Sequence, residues 1–273
     1  MSALAAAIEQ GRARIVVVGL GYIGLPLVVA VARAGFTAVG FDTDETRVAA
    51  LLAGRGATPG VDAAEVEALG KNGRLVLDSS AGVLDGADVV VLAVPTPVFD
   101  DGAPDRAFLD AAVASVLAYA RADMLVILES TSPPGTTRGI AARFEAAGFE
   151  LGADVFVAHA PERIDPGNVQ FSLDTTPRII GGVTPACTRH AVAFYKHFVP
   201  TVCAVRDADT AEVTKLFENT FRAVNVGLVN ELARAGRALD VDVHEVLDAA
   251  ATKPFGFMKF VPGPGLGGPC IPA

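Results

Sequence analysis

The stretch Arg14-Ile-Val-Val-Val-Gly19-Leu-Gly21-Tyr22-Ile23-Gly24 decides the fold. Its first five residues are a short β-branched run and read as a buried strand over 14–18. The Gly-x-Gly-x-x-Gly turn comes next, followed by an apolar helix to about Arg33, which Gly35 stops. A second strand, Thr37 to Asp42, ends in an acid 23 positions after Gly19, close to the spacing of about 20 expected in a dinucleotide-binding βαβ unit. Each glycine has a mechanical task. Gly19 permits the tight turn, Gly21 lets backbone approach a pyrophosphate, and Gly24 lets helix pack on strand. The helix N-terminus supplies amide donors and the positive end of a dipole. An ordinary glycine-rich βα turn is the bland alternative; strand before, helix after and acid at the right distance favour dinucleotide binding. The Asp42 carboxylate can accept hydrogen bonds from the ribose hydroxyls and would repel a 2′-phosphate, so NAD is expected rather than NADP. Arg47 lies near the adenine or is a solvated helix residue.

The alternation continues outward from this unit. Helices are expected near 44–54 and 62–70, strands near 74–77 and 88–94, a helix near 105–121, a strand over 124–129, a helix over 136–147 and a strand over 154–159. A strand near 178–181, a Thr184-capped helix to about 198 and a strand near 202–205 complete the domain. Ligands bind at the C-terminal ends of strands in such sheets. Two strand-end loops therefore stand out, Val94-Pro-Thr96-Pro97 and Glu129-Ser-Thr131-Ser132. Thr96 is a candidate cofactor contact or part of a bare turn, and the hydroxyl-rich second loop suits an anion, water or nicotinamide. Cys187 and Cys203 fall in a helix and a strand and read as small buried thiols.

Composition changes after Asp209. To Leu239 there is no proline, and Val213, Leu216, Phe217, Phe221, Val224, Leu228 and Leu232 recur at helical spacing. One helix of about 30 residues, about 45 Å long, suits an element that spans domains and joins subunits, so a homodimer through it is expected. A shorter helix over 243–251 follows. The expected architecture is a doubly wound parallel Rossmann-type α/β sheet over 1–206, then a mainly helical central domain over 207–273.

The chain of 273 residues is 51% hydrophobic and 19% charged, which argues against disorder. Its net charge of −9 and lack of basic runs disfavour a nucleic-acid partner. No stretch approaches the length of a membrane helix, and the start lacks the basic region of a signal peptide. Three widely spaced cysteines form neither a disulfide framework nor a metal-ligand spacing. A cytoplasmic protein with reduced thiols is expected.

Two features carry chemistry. Lys215 and Asn219 are i and i+4, so they share one helix face; together they can hold an oxygen that becomes negative, although a solvated lysine is the plain reading of the pair alone. Cys270 closes a run with four glycines, Gly263, Gly265, Gly267 and Gly268, and a thiol presented where backbone can approach a ligand has the setting of a nucleophile.

Taken in order, Gly19-x-Gly-x-x-Gly24, Val94-Pro-Thr-Pro97, Glu129-Ser-Thr131, Pro161-Glu162-Arg163, Ala211-Glu-Val-Thr-Lys215-x-x-x-Asn219 and Gly267-Gly-Pro-Cys270-Ile-Pro272 resemble the UDP-glucose/GDP-mannose 6-dehydrogenase family. The resemblance covers the whole chain. Pro161 to Gly167 and Ala250 to Gly268 look most like the UDP-N-acetylglucosamine 6-dehydrogenase branch. It implies a four-electron oxidation, serving polysaccharide biosynthesis, in which NAD accepts two hydrides per UDP-sugar and the C6 alcohol becomes a carboxylate. Cys270 would attack the first-formed aldehyde and carry a thiohemiacetal, then a thioester. Lys215 and Asn219 would stabilise oxyanions. Glu162 would transfer protons during thioester hydrolysis, and Thr131 would position water. The cofactor contacts implied are Gly19, Gly21, Tyr22, Ile23, Gly24, Asp42, Arg47, Thr96 and Thr131; the substrate contacts are Glu162, Arg163, Lys215, Asn219, Gly265 and Gly267.

The chain departs from the family at Pro269, where a His usually precedes the cysteine. It ends at Ala273, one residue before the family's assisting Asp, and a third, UDP-binding domain is expected to be absent. Two alternatives follow: a truncated, impaired protein that binds NAD and dimerises, or a single-step β-hydroxyacid dehydrogenase, which also carries a Lys and an Asn on a long helix but lacks a role for Cys270.

Overall fold

The computed structural model describes residues 2–56, 58, 60–163, 173 and 175–265. The contacts divide the chain into two compact units, Met1–Val213 and Thr214–Ala273. The first is built on an eight-stranded sheet of β1 (Arg14–Val18), β2 (Thr37–Phe41), β3 (Leu75–Asp78), β4 (Val89–Leu92), β5 (Met124–Leu128), β6 (Val155–His159), β7 (Arg178–Gly182) and β8 (Val202–Ala204). The spatial order is β3-β2-β1-β4-β5-β6-β7-β8. Order reverses between β1 and β4, the switch point at which such sheets open a ligand crevice.

The strands are β-branched runs because both faces of the sheet are covered. Alternate residues serve opposite cores. Ile15, Val17, Val89, Val91, Leu125, Ile127, Phe156 and Ala158 face one way, where α1 (Ala3–Glu9), α2 (Gly24–Arg33), α3 (Glu45–Leu52), α4 (Ala63–Lys71) and α7 (Pro185–Tyr195) pack. Val16, Val18, Val90, Leu92, Val126, Leu128, Val155 and Val157 face the other, under α5 (Ala107–Ala118) and α6 (Thr136–Ala146). Each such Val, Leu, Ile or Phe side chain, fully buried, contributes about 1.5–3 kcal/mol relative to exposure.

The structure departs from the sequence expectation in four places. First, β7 runs antiparallel to β6, with Ala158 opposite Gly182 and His159 opposite Gly181, so the sheet is mixed at this one junction. Gly181 and Gly182 make the arrangement fit. A Cβ on Gly181 would stand 2.0 Å from the carbonyl of Asp207, and one on Gly182 would stand 2.3 Å from the amide of Thr188. Second, a seven-residue helix, α1, precedes the first strand. So short a helix is marginal alone; Leu4 and Ile8, one turn apart, anchor it in the core, and the Ser2 hydroxyl caps it. Third, Cys203 is exposed while Cys187 is buried. β8 is an edge strand with an outer face open to solvent, so a short apolar run there does not imply burial. Fourth, a 3-10 helix over Ala81–Leu84, capped by Ser80, carries the chain from β3 to β4.

The second unit holds most of α8 (Ala208–Leu239), 32 residues long, and α9 (Val243–Ala251). Helix α8 stops where Asp240 takes a left-handed backbone, φ 56°, and the amide of Val241 turns back to the carbonyl of Gly236 at 2.9 Å. That closing hydrogen bond offsets the strain of about 1 kcal/mol or more for a side chain in this region. Asp242 then caps α9 through the amide of His244. No helix among the described residues is long and apolar enough to cross a membrane.

Candidate active site

The glycine-rich turn lies at the C-terminal end of β1, at the switch point. Gly19 adopts φ 94°, a conformation that favours glycine, and a Cβ there would meet the carbonyl oxygen of Ala93 at 2.5 Å. A Cβ on Gly24 would fall 1.8 Å from the carbonyl oxygen of Gly19, so helix α2 could not start against the strand with any other residue. Gly21 differs: nothing lies within 4 Å of its would-be Cβ. The backbone at Gly21 therefore faces open space that a side chain would occupy. Helix α2 begins without a side-chain cap, leaving its first amides without that partner. This is the cradle a pyrophosphate requires.

Asp42 directly follows β2, beside this turn. Its Oδ2 accepts the amide of Leu20 at 2.8 Å and its Oδ1 accepts the amide of Asp44 at 3.0 Å. The carboxylate thus braces the turn while keeping oxygen lone pairs for a ribose. Arg47, half exposed on α3, approaches Asp42 at 3.7 Å. Tyr22 is exposed and Ile23 half-buried in the turn itself. The turn, the uncapped helix and Asp42 together fit a dinucleotide.

The loops after β4 and β5 are stitched together. The Thr96 hydroxyl donates to the carbonyl of Thr131 at 2.8 Å, and the Ser130 hydroxyl donates to the carbonyl of Val94 at 2.7 Å. Thr96 therefore fixes the position of Thr131. Farther along, α6 begins at Gly135, which cannot cap it with a side chain. The cap comes from Glu212 instead: its carboxylate accepts the amides of Gly135 at 2.7 Å and Thr137 at 2.8 Å, and the Thr137 hydroxyl at 2.6 Å.

Glu162 follows β6 and is 6% exposed. One carboxylate oxygen accepts the amide of Arg163 at 2.5 Å, and the other accepts Nη2 of Arg178 at 2.9 Å. Arg178, itself buried, also lies 3.4 Å from Oε1 of Glu129 and donates to the carbonyl of Pro161 at 3.1 Å. The Tyr195 hydroxyl donates to Glu129 at 2.5 Å, and the guanidinium stands 5.3 Å from the Tyr195 ring centre. Burial pushes the Glu129 carboxyl up to about 7, with the neighbouring Glu162 adding to the rise and Arg178 and the Tyr195 hydroxyl opposing it. Burial likewise pushes the Tyr195 phenol up. Sequence reasoning passed over Glu129, Arg178, Tyr195 and the capping role of Glu212. None stands at a motif spacing from its partners, although Glu129 lies within a quoted motif.

In the second unit, Lys215 and Asn219 share one face of α8; Lys215 is 9% exposed and Asn219 half-buried. The segment leading toward the glycine run folds back on the same helix. Phe260 packs edge-on against Phe221 at 5.8 Å, and the amide of Gly263 donates to Oδ1 of Asn230 at 2.9 Å. Gly265 is exposed. Gly267 and Cys270 lie outside the described residues. Among the described residues, no group of three or more His, Cys, Asp and Glu is placed to hold a metal.

Residues 13–199 match the NAD binding domain of the UDP-glucose/GDP-mannose dehydrogenase family, and residues 209–273 match its central domain. The UDP-N-acetyl-D-mannosamine dehydrogenase of Pyrococcus horikoshii is 38% identical over 95% of the chain and 62% of its own length. The NDP-N-acetyl-D-galactosaminuronic acid dehydrogenase of Ralstonia nicotianae is 38% identical over 97% and 64%. A solved structure of the Pyrococcus horikoshii UDP-ManNAc dehydrogenase superposes with a TM-score of 0.90 at 37% identity, covering 94% of this chain and 62% of that one. The chain thus spans a little over three-fifths of the length of these relatives.

Proposed function

Because the chain belongs to the UDP-glucose/GDP-mannose dehydrogenase family, we propose that it provides the NAD-binding and central domains of a nucleotide-sugar 6-dehydrogenase. The observation that carries the reading is the match to both domains, in order, on a chain whose Gly19–Gly24 turn and Asp42 form a dinucleotide cradle at the switch point. The substrate class we propose is a UDP-linked N-acetylhexosamine. The two relatives named above act, by name, on N-acetylated sugars. The name of the first points to N-acetylmannosamine, and that of the second to an N-acetylgalactosamine-type sugar, rather than to the N-acetylglucosamine that the motif resemblance implies.

When bound, NAD accepts a hydride from C6, and the full conversion of alcohol and water to carboxylate requires two such transfers and releases three protons. The proposed parts for the protein follow from residue chemistry. The Cys270 thiol adds to the C6 aldehyde, forming a C–S bond and holding the carbon for the second oxidation. Lys215 and Asn219 stabilise negative charge on the C6 oxygen. Glu162 takes a proton from water as that water attacks the thioester carbonyl; the C–S bond breaks and the thiol recovers a proton. Thr131, fixed by Thr96, positions the water. Tyr22, Ile23 and Arg47 flank the cofactor, and Arg163, Gly265 and Gly267 flank the sugar nucleotide.

We assign residues 1–206 to cofactor binding and 207–273 to the catalytic helix and dimerisation. The exposed stripe of Phe217, Val224 and Leu228 on α8 supports a homodimer, and the role proposed for Cys270, which needs a free thiol, suits a cytoplasmic setting. A match to two domains of one family favours this reading over a single-step hydroxyacid dehydrogenase. The test is NADH formation with UDP-N-acetylmannosamine, UDP-N-acetylglucosamine and UDP-glucose. Turnover should be highest with an N-acetylated sugar; a preference for UDP-glucose, or no turnover with any, would contradict the assignment.

A further inference from the structure

The single antiparallel junction of the sheet has a chemical result. Had β7 run parallel to β6, its first residue would sit at the far end of the sheet from the crevice. Reversal instead brings Arg178, the first residue of β7, to the end where β5 and β6 finish. There the guanidinium meets Glu129 from the end of β5 and Glu162 from the loop after β6. All three are almost fully buried, and Tyr195 reaches in from α7 to donate to Glu129.

Stability does not account for such a cluster. Burying ions costs several kcal/mol each, and well-packed apolar side chains often do as well or better. Geometry separates the tasks of the two carboxylates. Glu129 is enclosed, with Tyr195 on one oxygen. Glu162 stands three residues past the end of β6, with Arg178 on one oxygen and the Arg163 amide on the other. Arg178 is in turn held by two backbone carbonyls, Ala160 and Pro161, immediately before Glu162.

We propose that Arg178 is the positioning residue for Glu162, and that Glu129 and Tyr195 hold Arg178 in place. The inference rests on the reading of Glu162 as the group that activates water against the thioester. Arg178 spans the carbonyls of residues 160 and 161 and the carboxylate of 162 with one planar fork, a geometry that lysine cannot reproduce. It therefore sets both the loop and the carboxylate direction, and small errors of placement at a reacting group are expensive in rate.

The test uses the full protein with a UDP-N-acetylhexosamine that it turns over, and compares Glu162→Gln, Arg178→Lys and the double variant by rapid-mixing NADH measurement. Hydride transfer precedes hydrolysis, so loss of water activation leaves an initial NADH burst and slows only the steady state. Arg178→Lys should keep the burst and NAD affinity while lowering steady-state turnover about tenfold or more. The double variant should be no slower than Glu162→Gln within about threefold, because both changes remove one function. Should Arg178→Lys fail to fold, Glu129→Gln and Tyr195→Phe carry the test, each with an intact burst and slowed steady state. A wild-type Glu162→Gln would remove the water-activation reading, and the inference with it. An impaired Glu162→Gln beside a wild-type Arg178→Lys would overturn the inference alone. So would multiplicative losses, or a burst that falls along with NAD affinity.

Discussion

Glu129 shows how a single residue ties burial to pH. Its carboxyl is held at about 7 in the folded protein, against an ordinary value of 4.5, chiefly by burial. The folded state therefore keeps a proton that the unfolded chain gives up near 4.5. Stability from this group is present below that value and is lost as pH rises to about 7, by about 3 kcal/mol. Glu129→Gln removes the titration. Between pH 4.5 and 7.5 the stability of the wild type, measured by urea denaturation, should fall relative to that of Glu129→Gln by about this amount. Parallel pH profiles would show that the carboxyl is not buried as described.

Elements depend on residues that a helix or strand pattern does not reveal. The turn before α2 was legible because its glycines keep a fixed spacing, although only Gly24 is constrained locally, by the carbonyl of Gly19; Gly19 itself meets Ala93, just past β4. The two kinds of glycine separate by experiment. Gly24→Ala places a Cβ 1.8 Å from the Gly19 carbonyl oxygen, and should destabilise the fold by about 2 kcal/mol or more. Gly21→Ala places a Cβ in open space, and should leave the melting temperature almost unchanged while weakening NAD about tenfold or more, as read by calorimetric titration. Equal NAD affinity in Gly21→Ala would mean that the backbone there does not approach the cofactor. The start of α6 was not legible in the same way, since its cap, Glu212, lies 75 positions from Thr137. Truncation by Glu212→Ala strands two backbone amides and a hydroxyl, so denaturation should show a loss on the order of 3 kcal/mol. A loss below about 0.5 kcal/mol would rule out the capping role.

At the scale of the whole molecule, the order of strands and helices followed from apolar runs and glycine punctuation, and the long helix from a stretch free of proline. The reversal of β7 did not. Strand direction depends on how the chain returns, and Arg178-Ile-Ile-Gly-Gly182 reads the same either way. The charge network was hidden for a related reason: Tyr195 and Glu129 are 66 positions apart and meet only because α7 packs over the sheet. The candidate site thus divides. The dinucleotide cradle could be read from spacing, the roles of Lys215, Asn219 and Cys270 came from resemblance, and the support behind Glu162 came from the fold. A four-electron oxidation at C6 is tested by the number of NADH molecules formed per UDP-sugar consumed. Two are expected, with the uronate as product. A value of one, with an aldehyde or ketone released, would contradict it.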